Sequence, residues 1–496
     1  MANIFTQLGT SINRWVEDRI SAVMMIPGAV SKEDATRKTL IEVAREYAKG
    51  NQPPPLMVKL GQTNDNVIVN LTGLVRDRAT ALLFGEGVEF DLPGEGDTPE
   101  SEYIEAVWEA NEQHELLQDT SDYGVTGGTP CWQINPGAIY KDGVVYPEIL
   151  CIDPAYLTIK TEPENYRRVA KYIIQYKIKL EEGDRERNRK REIIPVKGYS
   201  NDTGIETVIS WEIHDYIEGD NGAWIEMNTP VLWDYSFPPI LPFKNLPNAG
   251  SPYGKPDITP DVLHLQDAIN RVVSNANKVL RLMAHQRLFG KMFGSASRVD
   301  VGPDSILNSD NPDADLKSLD PSSDFAGMTG FSELLREALF TIARSSDPKG
   351  IKDKVGQITN FGLNILYKDA IDKLKTKRKL YGEALRELNR RLLILNDMKP
   401  DPGEIVWHEA LPQNENEVIN GYKFDLEKGI ASVQTIRQKR GYDEEAEKKR
   451  LDAEQQAAVK NADNIGGGLL QNFNKGTPNQ QPRNIQQMVQ QLKRNG

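Results

Sequence analysis

The sequence is poor in the residues that form disulfide bonds and bind metals. Only two cysteines, Cys131 and Cys151, occur in 496 residues, and they do not form a CxxC motif. The five histidines follow neither an HExxH nor an HxH pattern. A disulfide framework or a zinc site needs more of these residues at closer spacing. We therefore expect a reducing environment, no metal site and no bound cofactor.

Long apolar segments are also missing. The N-terminal residues MANIFTQLGTSINRWVEDRI lack the basic stretch and apolar run that mark a signal peptide. The early apolar stretch SAVMMIPGAV is short and is interrupted by Pro27. No segment reaches the roughly 20 apolar residues that a membrane helix requires. The sequence thus predicts neither a signal peptide nor contact with a membrane.

The chain lacks an excess of positive charge. Its 60 Lys and Arg residues are outnumbered by 72 Asp and Glu residues, which gives a net charge of -12. Tight nonspecific DNA binding requires a cationic surface, so that class of function is disfavoured. An acidic protein can still stand near DNA without holding it. The composition, 39% hydrophobic and 27% charged, is that of a soluble globular protein with room for two or three domains.

One segment superficially resembles a phosphate-binding loop. Residues 250–256 read GSPYGKP and precede a helix. A Walker loop has the form GxxxxGK[ST], whereas Gly250 and Gly254 enclose three residues and Pro256 stands where a Mg²⁺-binding hydroxyl belongs. No GxSxG motif occurs either. We therefore predict that the protein is not an enzyme, although carboxylate pairs assembled by the fold would be invisible in the sequence.

The order of patterns along the first half predicts an α+β protein. Helices are expected from the N-cap Ser31 to the stop signal Gly50, and in NVIVNLTGLVRDRATALLFGEG, which should stop at Gly85. The triplet beginning at Thr98 should open a helix that continues through EYIEAVWEANEQHELLQD. Over 129–235, short β-branched and aromatic runs predict a largely antiparallel sheet. The charge run EEGDRERNRKREI within it predicts a solvated loop.

The second half of the chain is predicted to be mainly helical. A Gly-, Pro-, Ser- and Asp-rich insertion of short strands and turns is expected over 288–330. Helices are expected over 331–344, from 363 to about 395, and over about 432–459. The Asn-, Gln- and Gly-rich end, 461–496, is predicted to be flexible because it has too little apolar surface to offset chain entropy.

A narrow apolar seam follows the helix that starts after Thr259, a capping residue, with Pro260 in its first turn. The seam residues recur at alternating intervals of three and four, the pattern of a coiled-coil stripe, and polar residues flank them. The seam consists of Val262, Leu265, Ile269, Val272, Ala276, Val279 and Met283. Such a helix either packs in the core of a bundle or lies beside copies of itself in a ring.

Three segments occur in an order that is typical of one protein family. A PIxPF strand leads to a helix with the pattern LxDAxNRxxSxxxN, here Pro239, Ile240, Pro242, Phe243, Leu265, Asp267, Ala268, Asn270, Arg271, Ser274 and Asn277. Residues 360–385 give a loop and a Lys- and Arg-rich helix, although TNFGLN lacks the usual Ser-Gly pair. Residues 432–454 give a Ser-started helix and an acidic helix start. Over roughly 65–460, the chain resembles the portal proteins of tailed bacteriophages, of the siphophage type.

The resemblance implies a portal fold. Its parts are a helix-rich wing with an antiparallel sheet, a two-helix stem, a small α/β clip, a long kinked helix and a C-terminal helical crown. They are expected at 1–257 (wing), 258–287 and 330–344 (stem helices), 288–329 (clip), 345–362 (tunnel loop), 363–431 (long helix and completion of the wing), 432–460 (crown) and 461–496 (flexible tail). Within the long helix, Gly382 is expected to be a kink or a close-contact site.

The resemblance also implies a function. Portal proteins form dodecameric rings at one capsid vertex, through which DNA is packaged and ejected. The implied partners are further copies of the chain, the terminase large subunit, the head–tail adaptor, the major capsid and scaffold proteins, and double-stranded DNA. The implied location is the virion, with the host cytoplasm during assembly. The alternatives are another ring-forming virion protein and, in a different class, a nucleic-acid-processing enzyme.

The expected tunnel loop carries Lys349, Lys352 and Lys354 beside Asp347 and Asp353. By resemblance it would face the channel, where the lysines would make weak and transient contacts with DNA phosphates. The other interpretation is an ordinary solvated loop, and the sequence leaves both open.

Overall fold

A computed structural model describes residues 31–284, 287–291, 313–319, 325–347, 365–440 and 447–451, apart from short gaps at 62, 94–97, 142, 180–184, 200–205, 314, 366 and 411–414. The chain divides into two compact units, one up to Pro412 and the other from Gln413. Helices and antiparallel sheets are both present, so the predicted α+β class is confirmed.

Helices dominate the N-terminal region. They are α1 (Lys32–Lys49), α2 (Leu71–Phe84), α3 (Pro99–Ala110) and α4 (Gln113–Gly127). The first has its predicted ends, because Ser31 Oγ accepts a hydrogen bond from the Asp34 N–H and Gly50 adopts a left-handed conformation with φ 88°. The predicted cap at Thr98 is also confirmed, since Thr98 and Ser101 form a reciprocal capping box.

Two helix predictions in this region were too long. The helix expected to continue through HELLQD is interrupted at Glu112, whose φ of 52° is incompatible with a right-handed helix. The residues NVIVN before Leu71 are extended, although their apolar spacing suggested a helix. Their backbone is bound instead by side chains of a distant helix, which local spacing does not reveal.

Antiparallel pairing organises the predicted sheet region. The strands are β1 (Val88–Asp91), β2 (Cys131–Lys141), β3 (Val144–Ile152), β4 (Leu157–Glu162), β5 (Asn165–Ile178), β6 (Arg187–Tyr199), β7 (Glu206–Glu218), β8 (Trp224–Glu226), β9 (Val231–Trp233) and β10 (Ile240–Pro242). One sheet has the order β4-β5-β6-β7-β8, with β9 also paired to β7, and a second has the order β10-β2-β3. The strand PILPF thus joins the second sheet through Ile240, Leu241 and Pro242.

The charge run predicted as a solvated loop is wrong in its second part. From Arg187 onward it forms strand β6. Its charges are paired with neighbouring strands: Arg191 forms two hydrogen bonds of 2.7 and 2.9 Å with Asp215, and Glu192 lies 2.8 Å from Lys171. Opposite charges across antiparallel strands support pairing, so a charged sequence is compatible with a strand here.

The second half contains the predicted helices with shifted ends, and one further helix. They are α5 (Pro260–Ala284), α6 (Phe325–Ile342), α7 (Lys368–Leu395), α8 (Glu415–Glu427) and α9 (Val433–Lys439), with strands β11 (Arg287–Lys291), β12 (Asp315–Leu319) and β13 (Glu404–Trp407). The second predicted stem helix therefore starts earlier than 330, inside the predicted clip, where β11 and β12 pair with each other. Strand β13 pairs with β1.

The second unit contains two helices, α8 and α9, which agree with the sequence predictions to different extents. Helix α8 lies in this unit and had not been predicted. Helix α9 starts after Ser432, whose Oγ accepts a 3.1 Å hydrogen bond from the Thr435 N–H, so the predicted start is confirmed, but the helix ends at Lys439 and does not continue unbroken to about 459. The predicted flexible tail, 461–496, lies outside the described residues.

One buried cluster joins both predicted stem helices to the N-terminal helices. It contains Val262 and Ile269 of α5, Leu339 and Phe340 of α6, and Tyr47 of α1. Because the end of α6 packs near the start of α5, the two helices run antiparallel.

Candidate functional site

One face of α5 carries a row of polar side chains that bind the extended segment before α2. We call this row the polar ladder (Gln266, Asn270, Ser274, Asn277 and Arg281) and the segment, together with the first two residues of α2, the strap (residues 65–72). The backbone N–H groups of the strap donate to ladder oxygens in three pairs: Leu71 to Gln266 (3.0 Å), Val69 to Asn270 (3.0 Å) and Val67 to Ser274 (2.9 Å). The order of the pairs shows that the strap runs antiparallel to α5.

The spacing of the ladder follows from helix and strand geometry. Four helical residues rise about 6 Å, and two extended residues span about 6.6 Å. Side chains at every fourth helix position therefore meet every second residue of a strand. Gln266 and Ser274 also donate to strap carbonyl groups, at Val69 O (2.7 Å) and Val67 O (3.2 Å). The ladder thus takes the place of a neighbouring β-strand and pairs backbone groups of the strap that are only partly accessible to solvent.

The N-terminal end of the strap is fixed by an ion pair between Asp65 and Arg281. Asn277 donates to the Asp65 carbonyl at 3.1 Å, and Arg281 forms two hydrogen bonds of 2.6 and 2.7 Å with the Asp65 carboxylate. These bonds from Arg281 lower the pKa of Asp65. At the other end, Asn270 donates to Gln52 Oε1 at 2.5 Å.

The polar ladder explains part of the motif in α5. Asn270, Ser274 and Asn277 belong to it, whereas Gln266 had not been singled out in the sequence. The sequence feature that could have identified Gln266 is the recurrence of Gln, Asn and Ser at every fourth residue. This spacing places polar side chains on a helix face of the kind that usually carries apolar side chains. Asp267, another motif residue, accepts a 2.8 Å hydrogen bond from the buried Tyr47 hydroxyl. Burial raises the pKa of Asp267 to about 6.

The predicted seam lies on a different face of α5 from the polar ladder. At 100° per residue, the centres of the two rows are about 135° apart around the helix. Val262 and Ile269 are buried and Leu265 packs against the same cluster. Val272, Ala276 and Val279 are only half-buried, and the side chain of Met283 lies outside the described residues.

Helix α6 exposes apolar side chains that no described residue covers. Phe331, Leu334 and Ile342 are 49%, 60% and 50% exposed, and we call them the stripe. Their spacing places them within about 80° of one another on α6, on the side opposite the buried Phe340. Leu280, near the end of α5, is 49% exposed as well.

A buried charged node lies where α5 begins. The ammonium groups of Lys373 and Lys377, both on α7, lie 2.7 and 2.6 Å from the two carboxylate oxygens of Asp257. Asn245 donates to Asp257 at 3.0 Å and accepts a 2.9 Å hydrogen bond from Tyr381. Although burial disfavours its charged form, the pairs with Lys377 and Lys373 hold the pKa of Asp257 well below its usual range.

The charged node connects four helices. Lys373 also donates to the Ala343 carbonyl, just after α6, at 2.6 Å. The Asp257 N–H donates to the Val125 carbonyl of α4 at 2.9 Å. A displacement of α7 along its axis would therefore break contacts with both predicted stem helices. Gly382, further along α7, lies in a continuous helix, and an added Cβ would be 3.7 Å from the Trp407 indole nitrogen, an ordinary van der Waals distance, so the expected kink or close contact is not found there.

In the segment GSPYGKP, Gly254 lies where the backbone passes very close to another part of the chain, at Gly128. A Cβ on Gly254 would lie 2.1 Å from the Gly128 carbonyl oxygen, which no side chain tolerates. The Gly254 N–H donates to Thr129 Oγ1 (2.9 Å), and the Lys255 N–H donates to the Leu246 carbonyl (3.0 Å). These amides are used within the fold and do not form a phosphate cradle.

The predicted channel lysines Lys349, Lys352 and Lys354 lie outside the described residues. The beginning of their loop is fixed: Asp347 forms a 3.0 Å ion pair with Arg336, and Arg78 donates to the Ser346 carbonyl. Within the described ranges, no group of three or more His, Cys, Asp and Glu side chains is arranged to bind a metal. Across that same part of the chain, every helix is too short or too polar to cross a bilayer.

Comparison with known proteins gives one match over most of the chain. A family model described as phage portal protein, SPP1 Gp6-like, matches residues 30–461. The matched range contains the strap, the polar ladder, the charged node and both predicted stem helices. No curated protein matches the chain.

Proposed function

The chain belongs to the phage portal protein family, and from this premise we propose that twelve copies close into a ring through α5 and α6. A portal protein forms a ring at one capsid vertex, where DNA enters during packaging and leaves during ejection. It also serves as the docking site for the terminase and the head–tail adaptor. The family is structural rather than enzymatic.

The observation that carries the ring proposal is the apolar surface left on both helices. The stripe on α6 is about half exposed in the single subunit, and the C-terminal half of the seam is only half-buried. Contiguous apolar surface of this kind marks an interface. Covering one large apolar side chain typically stabilises an assembly by ~1.5–3 kcal/mol. We assign the seam residues Val272, Ala276 and Val279, with the stripe, to contacts between neighbouring subunits.

The parts of the chain are assigned accordingly. We propose that α5 and α6 are the stem, that the β11–β12 hairpin belongs to the clip, and that the residues before α5 form the wing. Helix α7 would cross the wing, and the residues from 432 would form the crown. The charged node supports this division, because it joins α7 to the start of α5 and to the end of α6.

Further assignments follow from the ring. We propose that Lys349, Lys352 and Lys354 face the channel and make brief contacts with DNA phosphates. The contacts are proposed to be brief because the subunit as a whole carries a net charge of -12 and so lacks the excess of positive charge that tight nonspecific DNA binding requires. The major capsid and scaffold proteins are proposed as further partners. Assembly is proposed to occur in the host cytoplasm, and the ring itself is proposed to hydrolyse no nucleotide.

The ring is tested with the purified full chain by native mass spectrometry and negative-stain imaging. We expect closed rings with a central channel, and a Leu334→Asp variant that folds but stays monomeric. Leu232→Asp on β9, where Leu232 is 58% exposed, is the matched control and should form rings. A wild-type chain that remains monomeric at high concentration contradicts the proposal. ATPase and nuclease assays on the same samples separate it from a nucleic-acid-processing enzyme.

A further inference from the structure

Two lysines between helix α1 and strand β4 lack a carboxylate partner. Lys38 of α1 and Lys160 of β4 are both half-buried. Within the described ranges, no Asp or Glu forms an ion pair with either ammonium group. Taking an ammonium group out of water without a counter-charge costs free energy, so lysines that a fold covers are usually paired. These two lysines therefore call for a physical explanation.

The strand register places a third lysine beside Lys160. Lys160 lies directly opposite Lys171 on the antiparallel strand β5. Side chains at such positions share one face of the sheet with Cβ atoms about 5 Å apart, and like charges there repel each other. Lys171 lies 2.8 Å from Glu192 on β6, but Glu192 also lies 3.1 Å from Lys190. One carboxylate is thus shared by two lysines on this face, and Lys160 has none.

Helix α1 brings Lys38 to the same face of β4. The Thr158 hydroxyl donates to the Asp34 carboxylate at 2.7 Å, which places α1 against this face. Thr158 and Lys160 point to the same side because they are two residues apart in a strand. Lys38 follows Asp34 by one helical turn, and helix side chains lean toward the N-terminus of their helix, so Lys38 is directed back toward this contact. We call Lys38, Lys160 and Lys171 the lysine site.

The carboxylates nearest to Lys38 are engaged by other cations. Asp34 lies 2.9 Å from the Arg37 guanidinium. Asp153 accepts two hydrogen bonds of 2.7 and 2.5 Å from Arg45. Such bidentate pairs are among the strongest that a carboxylate forms. Neither acid is therefore available as a direct partner for Lys38.

The electrostatic surroundings of Lys38 would favour an added negative charge. The pKa of Lys38 is lowered to about 8, in the first place by burial. The positive charges of Arg37 and Lys160 lower this pKa as well, while Asp34 and Asp153 raise it. Lys160 is thus close enough to repel the Lys38 ammonium group. An anion between the two lysines would offset both the burial and the repulsion.

The local charge is opposite in sign to that of the whole chain. Two acidic residues, Asp34 and Glu192, lie among five basic ones, which leaves an excess of three positive charges. The basic residues are Arg37, Lys38, Lys160, Lys171 and Lys190. The subunit as a whole carries -12. A concentrated positive charge in an acidic protein marks a position where an anion is favoured.

We propose that the lysine site binds a phosphate group. A phosphate monoester or inorganic phosphate carries about two negative charges and several acceptor oxygens, which suits three ammonium groups, whereas a carboxylate carries one charge. Because Lys38 and Lys160 are half-buried, the ligand is a small phosphate or a phosphate at the end of a longer molecule. The site lies between α1 and the sheet, apart from the predicted channel lysines, and it does not depend on the ring.

Competitive labelling of the full chain tests the site. The purified protein is treated near pH 8 with a trace of an acetylating ester, with and without inorganic phosphate at constant ionic strength, and each lysine is followed by mass spectrometry. We expect phosphate to slow acetylation of Lys38 and Lys160 at least fivefold, because a bound anion covers the amines and favours their protonated form. Lys375 on α7, with a 70% exposed side chain, is the control and should be unaffected. Equal labelling of Lys38 with and without phosphate would overturn the proposal.

Three further competitors identify the source of the phosphate. They are a DNA duplex with 5′-phosphates, the same duplex without them, and a glutamate oligopeptide. Protection by inorganic phosphate and by the 5′-phosphorylated duplex alone supports a free or terminal phosphate. Equal protection by both duplexes supports a phosphate of the DNA backbone. Protection by the glutamate peptide without protection by phosphate would overturn the proposal and indicate a surface for an acidic protein.

Substitutions provide an independent test. Lys38→Met and Lys160→Met keep an unbranched side chain and remove the charge, and each should weaken phosphate binding at least tenfold in calorimetry. Lys375→Met removes a charge elsewhere and should bind as the wild type does. Added phosphate should raise the melting temperature of the wild type and of Lys375→Met only, because a ligand stabilises the state that binds it. An equal rise in Lys38→Met would contradict the site, and labelling of the wild type decides the question if a variant does not fold.

Discussion

The ammonium group of Lys377 lies 2.6 Å from a carboxylate oxygen of Asp257, and both side chains are removed from solvent. Residues 120 positions apart in the chain are thereby paired in the interior. Lys373 is buried beside this pair, so the single carboxylate of Asp257 balances two ammonium groups. Breaking such a pair by removing one partner is far more costly than losing a surface ion pair.

Removal of the carboxylate from the charged node should destabilise the subunit strongly. Asp257→Asn leaves two buried ammonium groups without a counter-charge, and we expect a loss of about 3–5 kcal/mol in the free energy of unfolding. Urea denaturation of the variant measures this. Asp372→Asn, an exposed acid on the same helix as the two lysines, should be nearly neutral and serves as control. An Asp257→Asn variant as stable as the control would contradict the role of the node.

The same carboxylate should contribute to acid sensitivity. Because the folded pKa of Asp257 is depressed, its stabilising contribution is complete above the unfolded pKa of about 3.9 and is lost as the pH falls toward the folded value. Unfolding measured between pH 7 and pH 2 should therefore show a smaller acid-side decrease in Asp257→Asn than in the wild type.

Asp267 should have the opposite pH dependence. Burial raises its pKa from 3.8 to about 6, so the folded state binds a proton more tightly than the unfolded state. Stability should therefore decrease as the pH rises between about 4 and 6. Asp267→Asn should remove this decrease while keeping a partner for the Tyr47 hydroxyl. Equal slopes for variant and wild type across this window would refute the assignment.

Substitution in the polar ladder should release the strap. Asn270→Leu leaves the half-buried Val69 N–H without its side-chain acceptor, and we expect a loss of about 1 kcal/mol. Asn275→Leu, on the exposed face of α5, is the matched control. Hydrogen exchange should show faster exchange at Val67, Val69 and Leu71 in the first variant only. Unchanged protection at these amides would mean that the ladder does not hold the strap.

Gly254, whose backbone packs against that of Gly128, should not tolerate substitution by a residue with a side chain. Gly254→Ala places a Cβ 2.1 Å from the Gly128 carbonyl oxygen, and we expect a loss of about 3 kcal/mol or more, or failure to fold. Gly330→Ala in α6 has no atom within 4 Å of the new methyl group and should be neutral or stabilising by about 0.5–1 kcal/mol. Thermal melting of the two variants decides between these outcomes.

The channel lysines should affect DNA rather than assembly. Replacing Lys349, Lys352 and Lys354 together by Ala should leave rings intact and reduce DNA packaging or retention. Contacts of this kind are screened within about 8–10 Å at ordinary ionic strength, so the effect should be larger at low salt. A set of three exposed lysines on α7, Lys368, Lys375 and Lys379, gives a control with the same loss of charge. Normal packaging and retention in the first variant would identify the loop lysines as solvated surface.

Local signals predicted many of the elements of the fold. The cap at Ser31 and the stop at Gly50 set the ends of α1, because these effects operate within one turn of helix. The runs of β-branched residues predicted the sheet region for a similar reason. The predictions failed where the partner was distant: the charge run of β6 is paired with β5 and β7, and NVIVN is bound by α5.

The sequence by itself determined the class of the protein, the succession of its helical and sheet regions and, through motifs in that order, its family. These depend on composition, on periodicity and on residue spacing, which the chain carries whether folded or not. Only the tertiary structure decided what the motif residues do. Asn270 is a helix residue with a polar side chain until the strap is placed against it, and Asp257 is an ordinary carboxylate until Lys373 and Lys377 surround it. Hydrogen bonds and buried charges depend on partners about 3 Å away, and those partners are fixed by packing between segments that can be 218 residues apart, as Gln52 and Asn270 are.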